Sequence, residues 1–288
     1  MASETSTADA MVSDTPAVPG PRPRDLVLEH VEVTYEGVFL AAHGVNLRVP
    51  AGKIIGLLGS NGAGKTTTLR AISGFLRSER AAVSNGTISY GEGVRLVGRS
   101  PHWVARQGIV VVPERDKVFA GLSVAENLKI GSAGTRNRTG KRERLEVIYG
   151  YFPILRERGT QKAGYLSGGE RQMLGIARAL MRRPSLLMID ELSLGLAPKI
   201  IEDLLEIMTR INEEQGTSIL VVEQNAAATL DVSDFVYIME SGRIVLEGTP
   251  GELRDRADVQ EFYLGMGGQE VRSYGEVRPH RKAARWWG

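Results

Sequence analysis

The 288-residue chain has no cysteine. Disulfides and cysteine-based zinc or iron–sulfur sites are therefore excluded, and a reducing compartment suits the chain. Long hydrophobic runs are also missing. The longest, such as Leu186–Ile189 and Ile219–Val222, have the length of strands. A bilayer span needs roughly 20 apolar residues, so the chain cannot itself form a channel. A large excess of charge of one sign is lacking too: the formal net charge is +2, so whole-molecule electrostatics do not demand nucleic acid. Residues 1–24 are rich in Ser, Thr, Ala and Pro, without the charged start and apolar centre of a signal peptide. They are expected to form a disordered arm of a protein that stays in the cytosol. Against these absences, 42% of the residues are hydrophobic, enough for a sizeable core.

The stretch Gly59-Ser60-Asn61-Gly62-Ala63-Gly64-Lys65-Thr66-Thr67 fits G-x-x-x-x-G-K-[ST], the phosphate-cradling P-loop. It follows an apolar run, Ile54–Leu58, that reads as a buried strand, and it precedes a run that reads as a helix. Strand, glycine loop and helix in that order is the context the motif requires. Glycines let backbone N–H groups converge on phosphate oxygens, and the helix N-terminus adds partial positive charge. Lys65 is placed to reach the β- and γ-phosphates of a nucleotide, and the Thr66 hydroxyl to ligate Mg²⁺.

About a hundred residues later comes Leu166-Ser167-Gly168-Gly169-Glu170. It resembles the LSGGQ signature of ABC-type ATPases. Glu170–Met181 reads as a helix, with Leu174, Ala177 and Leu180 on one face. Ser167-Gly168-Gly169 thus sits at a helix N-terminus, a second anion site. Ser185–Glu191 is a strand ending in two carboxylates and resembles a Walker B motif. The resemblance implies a P-loop NTPase of ABC type: an α/β, RecA-like core with an antiparallel β layer and an inserted helical lobe. It also implies ATP and Mg²⁺ as ligands, with ATP sandwiched between the P-loop of one ATPase subunit and the signature of a second.

Alternating apolar residues at Leu26, Leu28, Val31, Val33 and Tyr35, then at Val45, Leu47 and Val49, predict the antiparallel layer. Gly86–Tyr90 and Val94–Val97 are expected to extend it. Ile109–Val112, Leu186–Ile189 and Ile219–Val222 read as core strands, with a helix over Ile200–Asn212. Phe235–Met239 and Arg243–Leu246 read as late strands joined at Ser241-Gly242, followed by two short helices up to about Leu264. The ATPase domain spans 25–264, its helical lobe about 113–183, and a tail occupies 265–288.

The resemblance also assigns roles. Asp190 pairs with Mg²⁺, and Glu191 polarises the attacking water as general base. Tyr35 precedes Lys65 at the spacing where the family stacks an aromatic ring on adenine. Gly59 to Thr67 and Ser167 to Glu170 line the nucleotide. Two positions depart from the general pattern. Glu114 stands where a Gln usually reaches Mg²⁺ and the water, and Gln224 where a His usually contacts the γ-phosphate. A Gln amide donates a hydrogen bond but does not titrate. With Val124–Leu128, Ser193–Pro198 and Val222–Ala226, these swaps resemble the ATPases of branched-chain amino-acid importers. Leu192 stands where the family nearly always has Pro, which predicts a looser loop after Glu191. Ala197 stands where many members carry an Asp.

The importer resemblance implies membrane permeases, a second ATPase subunit and an extracytoplasmic solute-binding protein, with no nucleic acid. It places the chain peripherally on the cytoplasmic face of the inner membrane. A soluble ABC clamp on ribosomes or DNA is the alternative from another class, and an exporter ATPase a third. A single cassette without a long coiled-coil insertion argues against the clamp, and the importer-like loops argue against the exporter. Arg136, Arg138, Lys141, Arg142 and Arg144 read as a basic surface cluster of the helical lobe. The tail adds Arg272, Arg278, Arg281, Lys282 and Arg285 before Trp286-Trp287, a composition suited to a headgroup interface or a protein groove.

Overall fold

In a computed structural model, which describes residues 22–115, 117–132, 138–256 and 259, β1 (Leu26–Tyr35) pairs with β2 (Phe39–Val49) in an antiparallel sheet. Buried positions step from Leu26 and Leu28 to Val31 and Val33, an odd interval that a strict two-residue period cannot make. A register shift between Leu28 and Val31, with His30 at φ 49°, supplies the extra residue. Next come β3 (Ile54–Leu58), buried along its whole length, and α1 (Lys65–Ser73). Then β4 (Ala81–Tyr90) pairs with the other edge of β1, giving the order β2-β1-β4. Val94–Val97 does not become a strand: only Arg95 bridges Ser89, because the backbone bonds from Tyr90 to Val94 and Leu96 to Ile88 close a tight return.

A short helix absent from the sequence-based expectation, α2 (Pro101–Arg106), follows, started by Ser100 as N-cap and Pro101 at its first position. After β5 (Ile109–Val112) the chain turns helical. The elements are α3 (Val124–Gly131), α4 (Arg138–Tyr151), α5 (Pro153–Glu157) and α6 (Gly168–Leu180). The chain returns to the sheet through β6 (Leu186–Asp190), α7 (Pro198–Gln215), β7 (Ser218–Glu223) and α8 (Ala226–Val232). It closes with β8 (Phe235–Glu240), β9 (Arg243–Gly248) and α9 (Pro250–Arg254). The second late helix and the tail lie outside the described residues, apart from Val259.

The main sheet has the order β5-β6-β7-β3-β8-β9, parallel except for the antiparallel β8–β9 pair. Helices cover both faces, so β6 and β7 are buried throughout and read as continuous apolar runs. One hydrophobic cluster joins the antiparallel layer to β3 and α1 through Leu28, Leu47, Leu57 and Ile72. A second joins the helical lobe to the other face through Leu128, Phe152, Leu180 and Ile189. The lobe therefore shares its core with the sheet. Arg144 departs from the predicted surface cluster. It is 8% exposed and donates from Nε to the Leu180 carbonyl at 2.9 Å, satisfying an acceptor at the end of α6. Its inward turn holds its pKa down to about 10, chiefly by burial. Lys141 and Arg142 remain at the surface; Arg136 and the side chain of Arg138 lie outside the described residues.

Candidate active site at the strand ends

The C-terminal ends of β3, β6 and β7 meet in one place, since the three strands are parallel neighbours. Gly59 leaves β3 against the end of β8: a Cβ there would stand 2.3 Å from the Met239 carbonyl oxygen. Gly64 has φ 102°, and a Cβ would meet the Met239 side chain at 2.8 Å and the Ala41 carbonyl at 2.9 Å. Glycine at both positions follows from this close approach. Gly242, in the β8–β9 turn, donates to the Ala63 carbonyl at 2.9 Å and braces the loop from behind. Lys65 is buried and donates to the carbonyls of Gly59 (2.8 Å) and Ser60 (3.0 Å). Burial lowers its pKa, opposed by the carboxylates of Glu191, Asp190 and Glu223.

Asp190 ends β6 with 4% exposure, and its Oδ2 accepts from the Thr66 hydroxyl at 3.1 Å. Its Oδ1 is buried without a hydrogen-bond partner among the described residues. Burial raises its pKa, with Thr66 and Lys65 opposing and Glu191 and Glu114 adding to the shift. An orphaned carboxylate oxygen beside a hydroxyl, near a second carboxylate, is a donor set that fits a hard divalent cation. Glu114 itself is half-buried and accepts from Arg115 Nε at 3.1 Å.

Glu191 follows in the left-handed region, φ 51°, and its N–H donates to the Val222 carbonyl at 2.9 Å. Gln224, one residue past β7, donates its side-chain N–H₂ to Glu191 Oε1 (2.8 Å) and to Asn61 Oδ1 (2.6 Å). Walker-type carboxylate, P-loop and strand-end amide are thus linked directly. Leu192, which stands in the position where proline is usual, is 1% exposed and packed into the second cluster, so its side chain anchors the loop after Glu191. Ser193 is held in turn by Glu223, through Oε1 to its N–H and Oε2 to its hydroxyl.

Tyr35 ends β1 beside α1 and is partly buried against the first cluster. Its hydroxyl lies 3.2 Å from Thr67 Oγ1 and donates to Glu79 Oε2 at 3.4 Å. The signature lies apart. No hydrogen bond or ion pair among the described residues joins Ser167–Glu170 to Gly59–Thr67. Ser167 and Gly168 are exposed. Gly169 must be small, since a Cβ would come within 2.8 Å of Ile200 on α7. Glu170, expected among the nucleotide contacts, caps its own helix within this chain. Its carboxylate accepts from Ser167 N–H at 2.8 Å while Ser167 Oγ accepts from Glu170 N–H, a capping box. That backbone bond, with help from Arg158, holds the Glu170 pKa down. Ser123/Glu126 and Thr249/Glu252 start α3 and α9 in the same way, so the S-x-x-E spacing was the available signal.

Sequence reasoning also missed Glu223 as a hub and Asn61 as the partner of Gln224. Asn61 occupies a variable position of the P-loop and Glu223 the end of a strand, and both roles are defined by contacts between distant segments.

Comparison with known proteins is consistent with this geometry. The family described as ABC transporter matches residues 42–193. The high-affinity branched-chain amino acid transport ATP-binding protein BraG of Pseudomonas aeruginosa is 44% identical over 232 residues, covering 81% of this chain and 96% of that protein. The probable branched-chain amino acid transport ATP-binding protein LivF of Archaeoglobus fulgidus is 36% identical over 222 residues, 77% of this chain and 91% of that one. Among solved structures, the ADP conformation of an ATP-binding cassette of an ABC transporter superposes with a TM-score of 0.72 at 27% identity. It covers 84% of this chain and 99% of that one.

Proposed function

The chain belongs to the ABC transporter family of ATP-hydrolysing proteins, and on that premise we propose that it energises import of a small organic solute, branched-chain amino acids or a related amino acid or amide. The observation that carries the solute class is the 44% identity to BraG along nearly the whole of that protein. Among the described residues no helix is long and apolar enough to cross a membrane; the likeness to the ATP-binding protein BraG supports passage of the solute through separate permeases. The chain then works at the cytoplasmic face of the membrane, fed by an extracytoplasmic binding protein.

The chemistry proposed for the strand-end site is positioning and charge stabilisation of a transferred phosphoryl group. The N–H groups of Gly59–Thr67 and the Lys65 ammonium hold the phosphates, and the Tyr35 ring packs against adenine. Thr66, Asp190 and Glu114 would hold Mg²⁺, which supplies charge neutralisation at the phosphates. Support comes from the unpartnered Asp190 Oδ1. Glu191 accepts the proton of the attacking water, and Gln224 holds its carboxylate toward the P-loop. Because Ser167, Gly168 and Gly169 have no bond to the P-loop of their own chain, we assign them to the nucleotide of a second ATPase subunit.

The test is reconstitution of the chain with its permeases, second ATPase and binding protein in proteoliposomes. Uptake of labelled leucine, isoleucine or valine should require ATP and vanish with Lys65→Ala. ATP-dependent uptake of another solute, with none of these three, would overturn the solute assignment.

A further inference from the structure

Glu223 is the last residue of β7, 3% exposed, and no Lys or Arg among the described residues forms an ion pair with it. A buried carboxylate in that position is costly unless fully hydrogen-bonded. Its oxygens are accounted for entirely by neighbouring donors. Oε1 accepts from Ser193 N–H at 2.6 Å, while Oε2 accepts from the Ser193 hydroxyl at 2.8 Å and from Gln224 N–H at 3.0 Å. The Glu223 carbonyl in turn accepts from Gly59 N–H at 3.3 Å, where the P-loop begins. One residue therefore ties together three segments that are far apart in sequence.

These bonds close a ring. Glu223 holds Ser193, two residues after Glu191, and it holds the backbone of Gln224, whose side chain grips Glu191 Oε1. Glu191 sits at φ 51°, a backbone conformation that persists only when surrounding structure over-determines it. The surrounding constraints are the Glu191–Val222 bond, the buried Leu192 side chain and the Glu223 clamp on Ser193. Of the three, only Glu223 also orients Gln224.

We propose that Glu223 is a positioning residue for hydrolysis: its carboxylate sets the place of Glu191 and Gln224 together and touches neither substrate nor metal. The inference rests on the reading of Glu191 as the base. It separates the role of this carboxylate from that of Asp190, which faces Thr66.

The experiment compares Glu223→Gln and Ser193→Ala with the unaltered chain and with Glu191→Gln, in steady-state hydrolysis and in binding of a fluorescent ATP analogue. Glu223→Gln keeps the shape but puts an N–H₂ against a donor, and should lower kcat about ten- to a hundredfold. KM and analogue affinity should stay within about twofold, because Lys65 and the P-loop are untouched. Ser193→Ala, which removes one of the bonds and preserves the fold if Glu223→Gln does not, should lower kcat about two- to tenfold with the same constant KM. Added to Glu191→Gln, Glu223→Gln should lower the residual rate no further, since a residue acting through Glu191 has nothing left to act on. Unchanged kcat in Ser193→Ala or in folded Glu223→Gln, a raised KM, or an additive loss in the double variant would each overturn the proposal. Full activity of Glu191→Gln alone would instead overturn the base assignment on which it rests.

Discussion

Asp190 and Gln224 carry opposite kinds of risk for the site. Asp190 is ionisable, buried and short of one hydrogen-bond partner. Burial first, and then its carboxylate neighbours, raise its pKa, so the folded chain binds this proton more tightly than the unfolded one. The stability it contributes is full below the ordinary carboxylate range and is lost as pH rises through the raised value. Asp190→Asn should therefore raise Tm at neutral pH in buffer free of Mg²⁺ and nucleotide, with the gain shrinking as pH falls. Thermal unfolding across pH checks the sign: a lower Tm at neutral pH would show that the carboxylate is stabilised as it stands. Gln224 has no charge to lose, and its amide joins Glu191 to Asn61. Gln224→Ala removes a hydrogen bond to a charged group, about 1.5–3 kcal/mol, or roughly ten- to a hundredfold in kcat. Phosphate release at saturating ATP measures it, and wild-type turnover would make the strand end merely structural.

Helices α3 and α6 illustrate how the elements hold the signature in place. Gly131, the last residue of α3, lies so close to α6 that a Cβ would stand 2.5 Å from the Arg178 carbonyl oxygen. The obstacle is backbone, so it cannot swing away, and one helix must shift. Gly131→Ala should destabilise the chain by about 1–3 kcal/mol, the cost of overpacking, although alanine is the better helix former. A lower urea midpoint with unchanged affinity for ATP is the expected result; an increase in stability would mean the two helices separate freely. Arg178 lies on the same contact, its guanidinium 4.8 Å from the Phe119 ring. The loop carrying Glu114 and the signature helix are also joined by a hydrogen bond from Lys117 to Gln172.

For the whole molecule, what matters most is that no hydrogen bond or ion pair among the described residues joins the signature to the P-loop of the same chain. A complete nucleotide site of the proposed kind needs two subunits. Glu191→Gln should still bind ATP but turn over at least a hundredfold more slowly, by about the effect of losing a general base. Held with ATP, it should elute in size-exclusion chromatography as a dimer, alone or with the second ATPase subunit, and revert to single subunits when ATP is removed. Dimer formation independent of ATP would argue against a nucleotide sandwich.

The local parts of the site were legible in the sequence. A P-loop, a helix beginning at the signature and an apolar strand ending in carboxylates each occupy a few consecutive residues, so spacing alone carries their geometry. The same holds for β1 and β2 with their alternating burial, and for the buried runs of β6 and β7. What joins these parts was not legible, because it depends on strand order. Only the parallel adjacency of β6, β7 and β3 brings Glu191, Glu223 and Gly59 together. Arg144 and Leu192 show the same limit. A cation in a basic run looks like surface charge, and a leucine in a proline position gives no sign of where its side chain goes, until packing puts one on the end of α6 and the other in the core. Sequence determines which groups are available and their local conformations, whereas burial and long-range hydrogen bonds, set only when the sheet assembles, decide which of them act on one another.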